Sequence, residues 1–66
     1  MSVAKTIEII ASSTESIDAA VRDGIAKASE TIDGIESAWV QGTKAVVRDN
    51  KVVAWRVQLK LTFLVK

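Results

Sequence analysis

The clearest pattern in the chain is a strict alternation of apolar and polar residues over Trp55–Phe63, within a fifteen-residue segment, Val52–Lys66, that is predicted as one long strand. One set of alternate residues is apolar: Trp55, Val57, Leu59, Leu61, Phe63 and Val65. The other set is polar: Arg56, Gln58, Lys60 and Thr62. A period of two predicts a β-strand with one buried face. At about 3.3 Å per residue the strand would be roughly 45 Å long, more than one small domain can cover. The pattern therefore predicts a chain that self-associates.

One strand and one helix are predicted before this region. Residues Val3–Ala11 predict a first strand, with Val3, Ile7 and Ile9 on one face and Thr6 and Glu8 on the other, although Lys5 interrupts the apolar face. A helix is predicted over Thr14–Asp33, where Ser12 and Glu15 match a capping box at the start and Gly34 matches a C′ glycine at the end. Apolar residues recur at spacings of three and four along the helix: Ile17, Ala20, Val21, Gly24, Ile25, Ala28 and Ile32. This spacing predicts that one stripe of the helix packs on the strands.

A second strand is predicted over Glu36–Arg48, and a polar turn, Arg48–Lys51, joins it to the long strand. The residues predicted to face the helix are Ala38, Val40 and Val46. Those predicted to face away are Trp39, Gln41 and Thr43. The order β-α-β-β predicts an α+β protomer, in which a three-stranded antiparallel sheet wraps one helix as a single domain over residues 1–66. Because one helix covers only one face of the sheet, the opposite, polar face is predicted to have nothing packed on it. This face is called the bare face.

Composition excludes several classes of protein. A chain of 66 residues buries only about 60% of its unfolded surface, and proteins of this size usually need disulfides, a metal or oligomerisation. Without Cys and His it lacks disulfides, the usual zinc ligands and the commonest general base, so no catalytic residue is predicted. The net charge of +1 disfavours nucleic-acid binding. No apolar stretch approaches the roughly 20 residues of a membrane span, and no signal peptide is evident, so a cytoplasmic protein is predicted.

The bare face carries the one constellation with evident chemistry. It combines Trp39 with amides, a hydroxyl and cations: Gln41, Gln58, Thr43, Arg56 and Lys60. A Trp stacks well on a flat, electron-poor heterocycle, and side-chain amides bond the polar edge of such a ring. Trp is also enriched at subunit interfaces, where Trp39 would serve as an anchor. The chemistry of the residues alone leaves both interpretations open.

The chain resembles the dodecins, small flavin-binding proteins of bacteria and archaea, over essentially its whole length. Four segments carry the resemblance: Val3–Ser16, Ile17–Ala28, Ala38–Val40 and Trp55–Phe63. It implies β-α-β-β protomers in a hollow homo-dodecamer of cubic symmetry, with flavins bound in pairs near two-fold axes. It also implies that a Trp of the second strand stacks on the flavin and a Gln of the third bonds its pyrimidine edge. The implied function is storage and sequestration of flavin without turnover.

The site residues of the family do not carry over position by position. Two residues anchor the alignment of the strands, Val40 and Phe63. With these anchors the stacking Trp of the family falls on Ser37 and its Gln falls on Arg56. Trp39 and Gln58 lie two residues later, which keeps both on the same face of their strands. Their separation of nineteen residues equals the separation that is usual in the family.

The resemblance therefore implies a specific set of flavin contacts for riboflavin or FMN. Trp39 stacks on the ring, and Gln58 or Arg56 bonds its polar edge, with Gln41 on the same strand as Trp39. Lys44 matches a position that is basic in some bacterial members and is implied to hold an FMN phosphate.

The same departure from the family pattern supports a second interpretation. Some dodecin-like proteins lack the Trp/Gln pair and form calcium-associated shells without flavin, and Arg56 resembles that branch. Under this interpretation the assembly is ion-linked or purely structural, and Trp39 is an interface residue. The acidic residues have no EF-hand spacing, so no metal ligands are predicted.

Overall fold

The computed structural model describes residues 2–65, and its elements follow the predicted order: β1 (Ala4–Ser13), α1 (Ile17–Ala28), β2 (Ile35–Arg48) and β3 (Lys51–Leu64). The strands form one antiparallel sheet in the order β1-β3-β2, so β3 lies in the centre. The predicted α+β fold with β-α-β-β order is therefore confirmed. The last position predicted for the third strand, Lys66, lies outside the described residues.

Helix α1 is shorter than predicted at both ends. Its N-cap is Ser16, whose Oγ accepts a hydrogen bond from the backbone N–H of Ala19 at 3.0 Å. Ser12 is not the cap because it is paired with β3 as part of β1. The helix ends at the C-cap Ser29, and Gly34, at φ 75°, lies in the turn before β2. Its twelve residues give a length of about 18 Å. No helix within residues 2–65 is long and apolar enough to cross a membrane.

The core lies between α1 and one face of the sheet. Three side chains of β3 are fully buried, as their alternation predicts: Val57, Leu59 and Leu61. Ala19, Ala20 and Gly24 of the helix are also buried, and α1 packs on β1 and β3. Trp55, predicted as a core residue, is only half-buried because it lies beside the first turn of α1, at the end of the core.

Helix α1 approaches β1 very closely at Gly24. A Cβ at this position would lie 2.9 Å from Cβ of Ala11 and 3.4 Å from the Cδ1 atoms of Ile9 and Leu59. We expect Gly24→Ala to destabilise the protein by about 1 kcal/mol, because an overpacking cost of about 1–3 kcal/mol exceeds a gain in helix propensity of about 1 kcal/mol. Urea denaturation measures the change. Gly24→Ala should cost less in an Ala11→Gly background, where the crowding Cβ is absent, and a Gly24→Ala protein as stable as the parent would contradict the expectation.

A β-bulge interrupts β2 at Gln41. Val40 pairs with Leu59 and Gly42 pairs with Gln58, so Gln41 is an extra residue with no partner on β3. An inserted residue of this kind reverses the alternation of the side chains that follow it.

Two predicted orientations on β2 are wrong because of this bulge. Thr43, predicted on the bare face, pairs with Val57 and lies on the helix side of the sheet. Val46, predicted to face the helix, pairs with Ala54 and lies on the bare face. The prediction treated β2 as one uninterrupted alternation, which before the bulge holds only from Ser37 to Val40, because the register also shifts between Ile35 and Ser37 and again between Val46 and Val47.

The protomer has more surface than a compact chain of its size. Its radius of gyration is 13.5 Å, against about 10.8 Å expected for this length. Its accessible surface is 4921 Å², against about 4,100 Å² expected for this mass. The β2–β3 hairpin extends beyond β1, and its exposed apolar residues include Val47, Val52 and Val53. At the tip, Asp49 and Asn50 both have positive φ, as in a type I′ turn.

Candidate functional site

The face of the sheet that lies away from α1, here called the bare face, carries three neighbouring rows of paired residues. Each row takes one residue from β1, one from β3 and one from β2. The rows are Glu8–Lys60–Trp39, Ile10–Gln58–Gly42 and Ser12–Arg56–Lys44. Opposed Cβ atoms lie about 4.5–5.5 Å apart, and successive rows lie about 7 Å apart along the strands. The central amide of Gln58 is therefore flanked by Trp39 in one row and by two cations in the next.

Trp39 is the large aromatic residue of the bare face, and 67% of its surface is exposed. The Nζ atom of Lys60 lies 6.0 Å from the centroid of the Trp39 ring, at the outer limit of a cation–π contact. The same Nζ atom lies 3.6 Å from Oε1 of Glu8, on the far side of the central strand. Because Glu8 holds the lysine toward β1, most of the Trp39 ring stays accessible for stacking.

A depression of about 160 Å³ lies over the second and third rows. Gly42 opens this space, because, its chain neighbours Gln41 and Thr43 aside, no residue has an atom within 4 Å of where its Cβ would be. Ile10 forms an apolar wall and is 69% exposed. Gln58 contributes an exposed amide, and Arg56 and Lys44 line the end away from Trp39. The depression thus joins an apolar wall, an amide and two positive charges.

The two cations at this end stand directly opposite each other in the sheet. Lys44 pairs with Arg56 in the strand register, and the Nε atom of Arg56 donates to Oγ of Ser12 at 3.5 Å. Within residues 2–65 the ion pairs are Lys27–Glu30 and Lys60–Glu8, so neither cation has a carboxylate partner there. Like charges placed opposite each other are destabilising. A bound anion would relieve this repulsion.

The structure brings together four of the five residues predicted for the site: Trp39, Gln58, Arg56 and Lys44. Gln41 is the exception, because it is the bulge residue and has no partner on β3. Trp39 does not line the depression itself but lies in the neighbouring row, paired with Lys60. Ser37 pairs with Thr62 and so lies on the bare face, as Trp39 does. The shift of two residues from the family pattern thus keeps the face, as predicted.

Two residues of the depression, Ile10 and Gly42, were missed by the sequence analysis. Ile10 gave a signal, because it is an apolar residue among the polar positions of β1. Gly42 gave a weaker one, since a glycine inside a strand often marks a bulge or a close approach of a ligand. Within one protomer, no cluster of three acidic side chains that could hold a metal ion occurs in residues 2–65.

Comparison with known proteins gives a consistent result. The family model described as Dodecin matches residues 3–66. The structure of dodecin from Streptomyces coelicolor has a TM-score of 0.94 and 28% sequence identity, over 98% of this chain and 93% of that chain. A search of curated protein sequences finds no match.

Two further solved structures are similar in fold. A mutant of Thermus thermophilus dodecin has a TM-score of 0.94 and 23% identity, over 100% of this chain and 98% of that chain, which supports the fold alone. A calcium dodecin from Mycobacterium tuberculosis has a TM-score of 0.86 and 26% identity, over 97% of this chain and 91% of that chain. That protein is described as a calcium-chelating immunodominant antigen with a novel calcium-binding site.

Proposed function

The chain belongs to the dodecin family, and from this premise we propose that it binds riboflavin or FMN between the subunits of a homo-dodecamer and stores it without turnover. The observation that carries the proposal is Trp39, which is 67% exposed beside Gln58 and the open space over Gly42. An exposed Trp next to a polar group and an empty space suits a planar ligand better than a solvated surface.

The side chains of the bare face match the chemistry of a flavin. The isoalloxazine ring is flat and electron-poor, so its face stacks on the indole of Trp39. Its pyrimidine edge alternates donors and acceptors, and the amide of Gln58 offers both. If the flavin ring lies across the row Ile10–Gln58–Gly42, Ile10 gives an apolar contact to its dimethylbenzene side. When bound, the flavin would supply only its own fluorescence and redox properties, and these residues hold and orient it.

One protomer supplies only part of such a site. The depression measures about 160 Å³, whereas sites for ligands of this size enclose about 300–1,000 Å³. A second copy related by a two-fold axis would present the same residues again and close the space. The accessible surface of the protomer exceeds that expected for a compact chain of its mass by about 800 Å². Each partner in a stable protein–protein interface buries an area of about the same size. Binding between subunits is therefore favoured over binding to one protomer.

A fluorescence titration of ligand-stripped protein with riboflavin tests the proposed function. Saturable quenching at a fixed ratio of flavin to chain is the expected result. If riboflavin and FMN both keep their full fluorescence at a large excess of protein, the flavin proposal is wrong. The calcium dodecin among the similar structures makes calcium the next ligand to titrate in the same preparation, by calorimetry.

We expect FMN to bind more tightly than riboflavin, because its phosphate would lie against Lys44 and Arg56, which lack carboxylate partners within residues 2–65. Lys44→Gln should lower the affinity for FMN about fivefold, as removal of one exposed charge contact costs up to about 1 kcal/mol. The affinity for riboflavin should not change, and the loss should shrink as salt is added. Lys51→Gln, which removes a cation at the far end of the hairpin, is the control. An equal loss of both ligands in Lys44→Gln would exclude a phosphate contact.

A further inference from the structure

Gly42 follows the bulge residue Gln41 in β2, and neither a positive φ nor crowding by residues distant in the chain requires a glycine there. Glycine inside a strand is unfavourable because it loses backbone entropy and adds no side chain to the sheet. It is tolerated where φ is positive or where neighbours leave no room. Gly34 is the glycine with positive φ, and Gly42 is not. Apart from its chain neighbours, no residue has an atom within 4 Å of where the Cβ of Gly42 would be.

The position of this glycine on the bare face indicates what the space is for. The bulge at Gln41 turns Gly42 toward the bare face, opposite Gln58 and between Trp39 and Lys44 along β2. Any side chain at residue 42 would project into the depression that Gln58 lines. A strand glycine with free space above it is typical of a close approach by a ligand or by another backbone.

We propose that Gly42 is a specificity-determining residue of this site, because its missing side chain admits a planar ring against the backbone of β2. The inference rests on the proposed flavin function. The ring then contacts the indole of Trp39 and the amide of Gln58 while its face lies over Gly42. A side chain at residue 42 fills this space and lifts the ring away from both contacts.

A graded series of variants at Gly42 tests the inference. We expect Gly42→Ala to weaken riboflavin binding severalfold and Gly42→Val to weaken it by about tenfold or more, since the added atoms must be accommodated in a filled site. The free energy of unfolding should stay the same or rise, because Ala and Val both restrict the unfolded chain more than Gly. The mass of the assembly, measured by light scattering, should be that of the parent. Ala45→Val is the matched control, because residue 45 is exposed on the helix side of the same strand, opposite Trp55.

The outcomes separate the inference from the function on which it rests. If the parent binds riboflavin and Gly42→Val binds it equally well, the inference is wrong and the proposed function stands. If Gly42→Ala and Gly42→Val both reduce the mass of the assembly, the space receives a second copy of the chain, and the inference is also wrong. If the parent itself binds no flavin, the proposed function fails and the inference fails with it.

Discussion

Replacement of Trp39 by alanine is expected to weaken riboflavin binding about 10- to 100-fold. Stacking of a planar ring on an aromatic side chain contributes about 1–3 kcal/mol by alanine substitution, and each 1.4 kcal/mol is a factor of ten in affinity. Trp39 is 67% exposed in the protomer and packs into no core, so its removal leaves the fold intact. The dissociation constant, measured by fluorescence titration, reports the loss directly.

Two control variants make the interpretation of Trp39→Ala unambiguous. Trp39→Phe keeps an aromatic face and should lose less affinity than Trp39→Ala. Trp55→Phe alters the other Trp, which lies on the core side of β3, and should leave the affinity unchanged. Undiminished affinity in Trp39→Ala, together with a smaller assembly, would identify Trp39 as an interface anchor instead of a stacking residue.

Replacement of Leu59 by alanine is expected to remove about half of the stability of the protomer. Leu59 is fully buried at the middle of the central strand, between Ile9 on β1 and Val40 on β2. A Leu→Ala change in a core costs about 2–5 kcal/mol, whereas a chain of this length has a total stability of about 3–10 kcal/mol. Urea denaturation of the flavin-free protein, followed by circular dichroism, measures the loss.

A surface substitution of the same type provides the comparison for Leu59→Ala. Leu64 is 40% exposed at the end of β3, and Leu64→Ala should cost less than Leu59→Ala because part of the Leu64 side chain stays in water and its shortening leaves no enclosed cavity. Equal losses in the two variants would mean that subunit contacts, and not the core of the protomer, dominate the stability.

The fold was predictable because its signal is repeated along the chain. Every second residue of β3 carries the same information about burial, so Val57, Leu59 and Leu61 could be assigned to the core from the pattern alone. The ends of the helix depend on single residues. Ser12 and Ser16 are both good caps, and the pairing of Ser12 with β3 decided between them. Ile32 continued the apolar stripe beyond the helix and made the prediction too long.

The site was predictable only in part, for a related reason. Trp39 and Gln58 could be assigned to one face because they lie within alternating segments that the bulge does not interrupt. The bulge at Gln41 is set by how β2 and β3 match in register, and the neighbouring Gly42 is only a weak local sign of it. Thr43 was therefore placed on the wrong face. The opening over Gly42 follows from the same bulge and became evident only in three dimensions.

The strand order β1-β3-β2 also has a consequence for the synthesis of the protein. β1 and β2 each pair with β3 and not with each other, although both precede it in the chain. No part of the sheet can therefore form until β3 has left the ribosome. The two-residue turn lets β2 and β3 pair within microseconds, whereas β1 must close a loop of about forty residues, as between Ser12 and Arg56. In that interval one edge of β3 is open to a β1 strand from a neighbouring nascent chain, so polysome density and chaperone supply should influence the yield of correctly folded protein.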